Sequence, residues 1–298
     1  AFFVCFCRAT LQSSCRLRHF TRLLTMKEQA HERNRAIRLE NLKTFPNSFN
    51  YKDITTKYPW YLIEPTYSCE HVDRVGDVIG DGAKFVCNAH HLRQQTRCLY
   101  YGVGVDGEVH FEEAFVKLFA SKPCEMFAFD PVDGVTIGNM PKFLNQTLGI
   151  HFEPWGLNDV DGEFEIGWSR HQGFTLDTIK SKLGHVGRTI DILKMVGMIL
   201  FVYVVCSSFF FVFSCWQDVE GSEWRILAHM LANCDRDRPA AHQILVEFHS
   251  PHVQTFLDLM AKFDECGFRL FSKDVNFWCP HCIELAFVHE RFVKCQID

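Results

Sequence analysis

The 298-residue chain reads as an α/β protein built on a Rossmann-like, doubly wound, mostly parallel seven-stranded sheet. Three observations predict this. Apolar runs of strand length alternate with amphipathic helical stretches from Cys98 onward. The first strand runs into a glycine-rich turn, as a strand does before it feeds a helix at a ligand-binding edge. An acid, Asp130, closes the next strand, 26 positions after Gly104. With 47% hydrophobic and 22% charged residues, the chain can bury a large core, which excludes disorder over most of its length. Its net charge of −5 supplies no global basic field, so no nucleic-acid partner is expected.

The elements follow in order. Residues 1 to 57 read as a leader and a polar extension, and 58 to 298 as the folded domain. Gly76, Gly80 and Gly82 punctuate a stretch of turns after Trp60 to Pro65. Cys98 to Tyr101 is the first strand, ending in Gly102, Gly104 and Gly107, and a helix is expected around Glu112 to Ala120. Glu125 to Phe129 is the second strand, and Ile150 to Glu153 is the third, ending at Pro154-Trp155-Gly156-Leu157. The helix Leu176 to Leu183 puts Leu176, Ile179 and Leu183 on one face. Ile190 to Met195 and Ile244 to His249 are the fourth and fifth strands, the helix Val253 to Phe263 follows, and Phe268 to Phe271 and Leu285 to Val288 complete the sheet.

Two stretches stand apart in composition. Residues 1 to 25 hold four Phe, three Cys, four Arg and no acid, and the first methionine is Met26. They read either as an organelle-targeting leader or as sequence upstream of a start at Met26. Val196 to Gln217 is 22 residues without a charge, long enough to cross a bilayer. Its flanks argue against a span: without it, strand, acidic turn and helix join as IDILKMDVEGSEW, with Trp224, Leu227 and Leu231 on one stripe. Valine codons begin with GT and one glutamine codon is CAG, so the run could be translated intron sequence; a genuine membrane segment is the other reading. Together the two stretches carry nine of the 29 Phe and five of the 14 Cys, which accounts for much of the unusual composition.

Gly102, Gly104 and Gly107 allow backbone to approach a ligand closely, and Asp130 can accept hydrogen bonds from a ribose diol. The pair implies a nucleoside cofactor without separating NAD from S-adenosylmethionine. At the carboxyl ends of central strands, Asp218, Glu220, Glu247 and His249 are candidate general bases. Asp218 also suits a helix N-cap, Glu220 a favourable first-turn charge and His249 a satisfied edge histidine. No metal is expected. Cys279-Pro280-His281-Cys282 has the spacing of half a zinc site without an evident second half, so a disulfide or free thiols are expected there. Cys69, Cys87, Cys98 and Cys124 would suit disulfides in a secretory compartment.

The ordered motifs resemble the Rossmann-like class I methyltransferases, specifically the FkbM-like group and the methyltransferase-like protein 24 family. The residues that carry the resemblance are Arg74-Val75-Gly76 with Gly80 to Cys87, Cys98 to Gly104, Phe129-Asp130-Pro131, Trp155-Gly156-Leu157, Ile190 to Met195 continued by Asp218 to Trp224, and Ile244 to His249. The resemblance implies S-adenosylmethionine over Gly102 to Gly107, its ribose on Asp130, Trp155 as a further cofactor residue, and an acceptor pocket near Asp218, Glu220 and the end of the fifth strand. It leans towards the secretory pathway, Golgi lumen or the outside of the cell; the methyl acceptor is unidentified, and a small-molecule or glycan hydroxyl is the expectation. A catalytically silent, membrane-anchored binding protein of the same fold is the alternative. An NAD-dependent oxidoreductase is less favoured by the Asp218 to Trp224 turn.

Overall fold

The computed structural model describes residues 29–33, 36, 60, 63–76, 82–94, 97–105, 109–120, 124–131, 139–166, 169–196, 221–249, 253–276, 279 and 282–294. Gly107, Asp218, Glu220, the residues 1 to 25 and all but the first residue of the 196–217 run lie outside these. No helix among the described residues is long and apolar enough to cross a membrane.

The main sheet has seven strands: β3 (Leu99–Val103), β4 (Glu125–Phe129), β5 (His151–Glu153), β9 (Ile190–Met195), β10 (Ala241–His249), β11 (Phe268–Val275) and β12 (Cys282–His289). In space they run β5-β4-β3-β9-β10-β12-β11, and β12 alone is antiparallel to its neighbours. This is the mostly parallel, doubly wound sheet that the alternating pattern predicts.

A sheet covered on both faces needs apolar side chains on both sides of each strand. In β4, Phe127 and Phe129 enter one core, and Met126 and Ala128 enter the other. In β10, Ile244, Val246 and Phe248 face the first core and Leu245 the second. The first face is covered by α4 (Leu176–Lys182), α5 (Ser222–Ala232) and α6 (Val253–Glu265). Phe256, Leu259, Met260 and Phe263 recur at spacings of three, one and three on α6, and Phe263 lies flat on Phe287 with ring centroids 3.9 Å apart. The second face receives α1 (Ala89–Leu92) and α2 (His110–Leu118), with Phe111 and Phe115 as the anchors.

Several elements differ from the sequence expectation. The glycine-punctuated stretch forms an antiparallel pair, β1 (Val72–Val75) with β2 (Lys84–Cys87). This pair packs on the second face, where the Gln243 amide exchanges two 2.8 Å hydrogen bonds with the backbone of Cys87 and Lys84 pairs with Glu284. Strand β10 starts at Ala241, because Ala241 already pairs with Ile190. A small sheet of β6 (Gly156–Leu157), β8 (Ser169–Phe174) and β7 (Gly162–Ile166) has no counterpart in the sequence reading, since most residues of β7 and β8 are exposed or half-buried and carry no core pattern. The short helix α3 (Met140–Phe143), which runs into a π turn at Leu144–Leu148, was likewise not foreseen. The last helix, α7, spans Glu290–Lys294.

Disulfides join Cys69 to Cys87, Cys98 to Cys124, Cys234 to Cys266 and Cys279 to Cys282. The first two use the four cysteines expected to pair. The last resolves the Cys279 to Cys282 motif as a bridge rather than half of a zinc site.

His289 at the end of β12 is fully buried. Its Nε2 donates to the carbonyl of Cys266 at 2.9 Å, and its Nδ1 accepts from the Arg291 amide at 3.1 Å. Both partners are satisfied by the neutral ring alone, and burial lowers the pKa to about 4. An unfolded histidine titrates near ~6.5. Below that pH the unfolded chain takes up a proton that the native chain refuses, so this group removes stability as pH falls from about 6.5 to 4. Urea unfolding across that range is expected to show a shallower acid loss in His289→Gln than in the parent chain; identical slopes would contradict this.

Candidate active site

The strand order places a topological switch between β3 and β9, where chain connections leave toward opposite sides of the sheet and ligands enter beyond the carboxyl ends. Val103, Met195 and Val246 lie in register across β3, β9 and β10 and mark the level of that edge. Gly104, Val196 and Glu247 stand one residue beyond it. Adjacent strands are ~4.8 Å apart, so the ends of β3 and β10 are separated by roughly 10 Å.

The turn after β3 is tied to the end of β4. The amide of Gly104 donates to the carbonyl of Phe129 at 3.0 Å, and the amide of Val105 donates to Asp130 Oδ2 at 3.0 Å. Asp130 is fully buried. Gly104 has φ +73°, and a Cβ there would stand 2.2 Å from the carbonyl oxygen of Val196, so both its conformation and its close approach to the end of β9 require glycine. Gly102 serves a different purpose, since a Cβ there would meet the Tyr100 hydroxyl at 2.5 Å. Its missing side chain lets the Tyr100 ring fold back over the strand.

That ring reaches a buried polar knot beneath the turn. Tyr100 OH donates to Glu112 Oε1 at 2.6 Å, and Lys194 Nζ donates to the same oxygen at 2.8 Å. Lys194 stands opposite Gly102 in the ladder, and Glu112 is in the first turn of α2. Burial, followed by the adjacent carboxylate, raises the Tyr100 pKa well above its ordinary value and keeps it a hydrogen-bond donor. Neither Lys194 nor Glu112 was singled out from sequence. The available signal was two charges, Asp191 and Lys194, inside an otherwise apolar, fully buried strand, each of which demands a polar or oppositely charged partner nearby.

At the end of β10, Glu247 and His249 are both buried and stand on one face of the strand, with His249 Nε2 3.7 Å from Glu247 Oε1. Asn276 donates to Glu247 Oε1 at 2.8 Å. Glu223 binds the amide of His249 at 2.9 Å through one oxygen and that of Gly221 at 2.8 Å through the other, and Trp224 Nε1 donates to the His249 carbonyl at 3.1 Å. The start of α5 is thereby tied to the end of β10. Of the four candidate bases, the structure brings Glu247 and His249 together, while Asp218 and Glu220 lie outside the described residues. Glu223, read from sequence only as part of the helix opening, is the added member. Trp155 follows β5 at the same edge and packs edge-on against Phe174, with Lys182 over its ring. A cavity of about 240 Å³ opens at the opposite, amino edge beside Thr189 and Ala240, away from these groups.

The residues present fit an adenosyl cofactor: a carboxylate for the ribose diol at the end of β4, a backbone turn held open by a required glycine, and an aromatic side chain beyond β5. Sheet order and edge together define a class I methyltransferase fold. A family model described as a methyltransferase domain matches residues 20–199, more than half of the chain, and the chain belongs to that family. It is a methyltransferase that uses S-adenosylmethionine. No curated protein matches. Among solved structures, the Methanococcus jannaschii fibrillarin pre-rRNA processing protein is 7% identical over 73% of this chain and 83% of its own, with a TM-score of 0.38. A SAM-dependent methyltransferase from Agrobacterium tumefaciens is 11% identical over 67% of this chain and 58% of its own, with a TM-score of 0.33.

Lys194→Met and Glu112→Gln each leave a buried group without its charge partner and are expected to cost about 3 to 5 kcal/mol in urea unfolding. The double variant should lose clearly less than the sum. Strict additivity would show that the two side chains are not coupled.

Proposed function

We propose that the chain transfers a methyl group to a hydroxyl of a small molecule or glycan, as a member of the methyltransferase-like protein 24 branch of the FkbM-like methyltransferases. The single observation that carries the cofactor side is the Asp130 carboxylate held on the Val105 amide at the glycine turn. S-adenosylmethionine, when bound, supplies an electrophilic methyl on a sulfonium. The chain's part is to hold the adenosyl group on Asp130, Gly104 and Trp155, and to align the acceptor oxygen in line with the methyl. As the C–O bond forms and the C–S bond breaks, the hydroxyl proton must leave. Glu247 and His249, with Asp218 and Glu220 from the segment before α5, are the groups proposed to take it.

Four disulfides among the described residues support an oxidising compartment, hence the secretory pathway, Golgi lumen or extracellular space. No nucleic-acid partner is proposed, in keeping with the net charge of −5. We read Val196 to Gln217 as translated intron sequence of 66 nucleotides, three per residue. The close tie of Gly221, Glu223 and Trp224 to the active edge supports a short path from β9 to α5. Transcripts that all retain the 66 nucleotides would overturn that reading. The apolar character of the same run favours the alternative of a silent, membrane-anchored protein, and alkaline extraction tests it: release into the soluble fraction removes the anchor.

Calorimetry on the protein lacking residues 196–217 is expected to show S-adenosylmethionine binding that Asp130→Ala and Gly104→Ala each weaken at least tenfold. Glu247→Gln and His249→Ala should leave that affinity within about twofold and lower transfer of labelled methyl to a glycan or small-molecule hydroxyl at least tenfold. Cofactor affinity untouched by Asp130→Ala would refute the assignment of the edge.

A further inference from the structure

We propose that Glu70, His90 and His91 form a binding site for one divalent transition-metal ion of the zinc type, at the end of the β1–β2 hairpin and apart from the methyl-transfer residues. One ligand atom from each of the three side chains lies within 4.8 Å of the others. A closed tetrahedral site with ligands at ~2.0–2.1 Å needs about 3.4 Å between ligand atoms, so small side-chain rotations suffice to close it. Two imidazoles and a carboxylate are a donor set that suits zinc and leaves a fourth position for water or a further side chain. The His71 ring stands edge-on to His90 with centroids 4.8 Å apart.

The backbone that carries these groups is braced on both sides. The Cys69–Cys87 disulfide joins the residue before Glu70 to the end of β2. The amide of His71 donates to Asn88 Oδ1 at 2.8 Å, and the amide of Asn88 donates to the carbonyl of His71 at 2.9 Å. Asn88 takes a left-handed conformation, φ 50°, and the amide of His91 bonds back to its carbonyl at 3.0 Å. The turn that presents His90 and His91 is thus locked against the segment that presents Glu70, so little ordering remains for a metal to impose.

His91 Nε2 is shielded from water and has no hydrogen-bond partner among the described residues. A buried ring nitrogen without a partner is costly, and coordination would satisfy it. The other group of potential ligands, Glu247, His249 and Cys282, is less suited, because the Cys282 sulfur is already bonded to Cys279.

Zn²⁺ titration of the oxidised full chain against a chromophoric chelator tests the proposal. One equivalent is expected to bind in the micromolar range or tighter, with a Zn²⁺-dependent rise in melting temperature. His90→Gln/His91→Gln should weaken binding at least tenfold and abolish the rise. Glu70→Gln, at an exposed carboxylate, should weaken it several-fold and keeps the test readable if the double variant does not fold. No binding by the parent chain, or binding equally tight in the Glu70 and histidine variants, would overturn the assignment.

Discussion

The buried ion pair between Lys194 and Glu112 is the constraint on which the rest of the active edge depends. Lys194 sits in the centre of the sheet with apolar residues on either side, where an isolated ammonium would cost several kcal/mol. Glu112 offsets that cost only if the first turn of α2 is held directly above the strand. Because α2 follows the glycine turn, fixing its start also fixes where the turn must end. Tyr100 adds a second donor to the same carboxylate and can do so only because Gly102 leaves room for its ring. Asp130 then draws in the Val105 amide from the neighbouring strand end. A charge in the core thus sets the backbone of the turn proposed to hold the cofactor.

A second set of contacts organises the end of β10. Glu223 and Trp224 bind the backbone of His249, so the opening of α5 and the end of β10 move as one unit. Asn276, just beyond β11, holds Glu247 from the other direction, and the Cys279–Cys282 bridge closes the segment that leads into β12. The carboxyl edge therefore has a glycine-turn half around β3 and β4 and a buried polar half around β10, joined by β9. The hairpin of β1 and β2 caps the second face below them through Gln243 and the Lys84–Glu284 pair.

Much of the sheet was legible because its strands are buried on both sides. Glu125 to Phe129 and Ile190 to Met195 can be read as strands because apolar residues predominate in each, and α4 and α6 from their spacing. The hairpin was not legible. Val72–Val75 holds an aspartate and an arginine, and what makes it a strand is pairing with Lys84–Cys87 and the bridge between Cys69 and Cys87. At the site, Asp130, Gly104, Glu247 and His249 could be named from strand-end position. The reasons behind them were not readable. Gly102 is required by a tyrosine two residues earlier, and Lys194 by a glutamate 82 positions away. The first depends on how a neighbouring ring folds back and the second on a residue far along the chain, and neither names its partner in the local sequence.

Hydrogen exchange with and without S-adenosylmethionine tests the account most directly. The amides of Gly104 and Val105, and those around Asp130, are expected to slow on cofactor addition, while the amino-edge cavity beside Arg188 and Arg238 stays unchanged. Protection confined to that amino edge, with the turn after β3 exchanging as before, would contradict it.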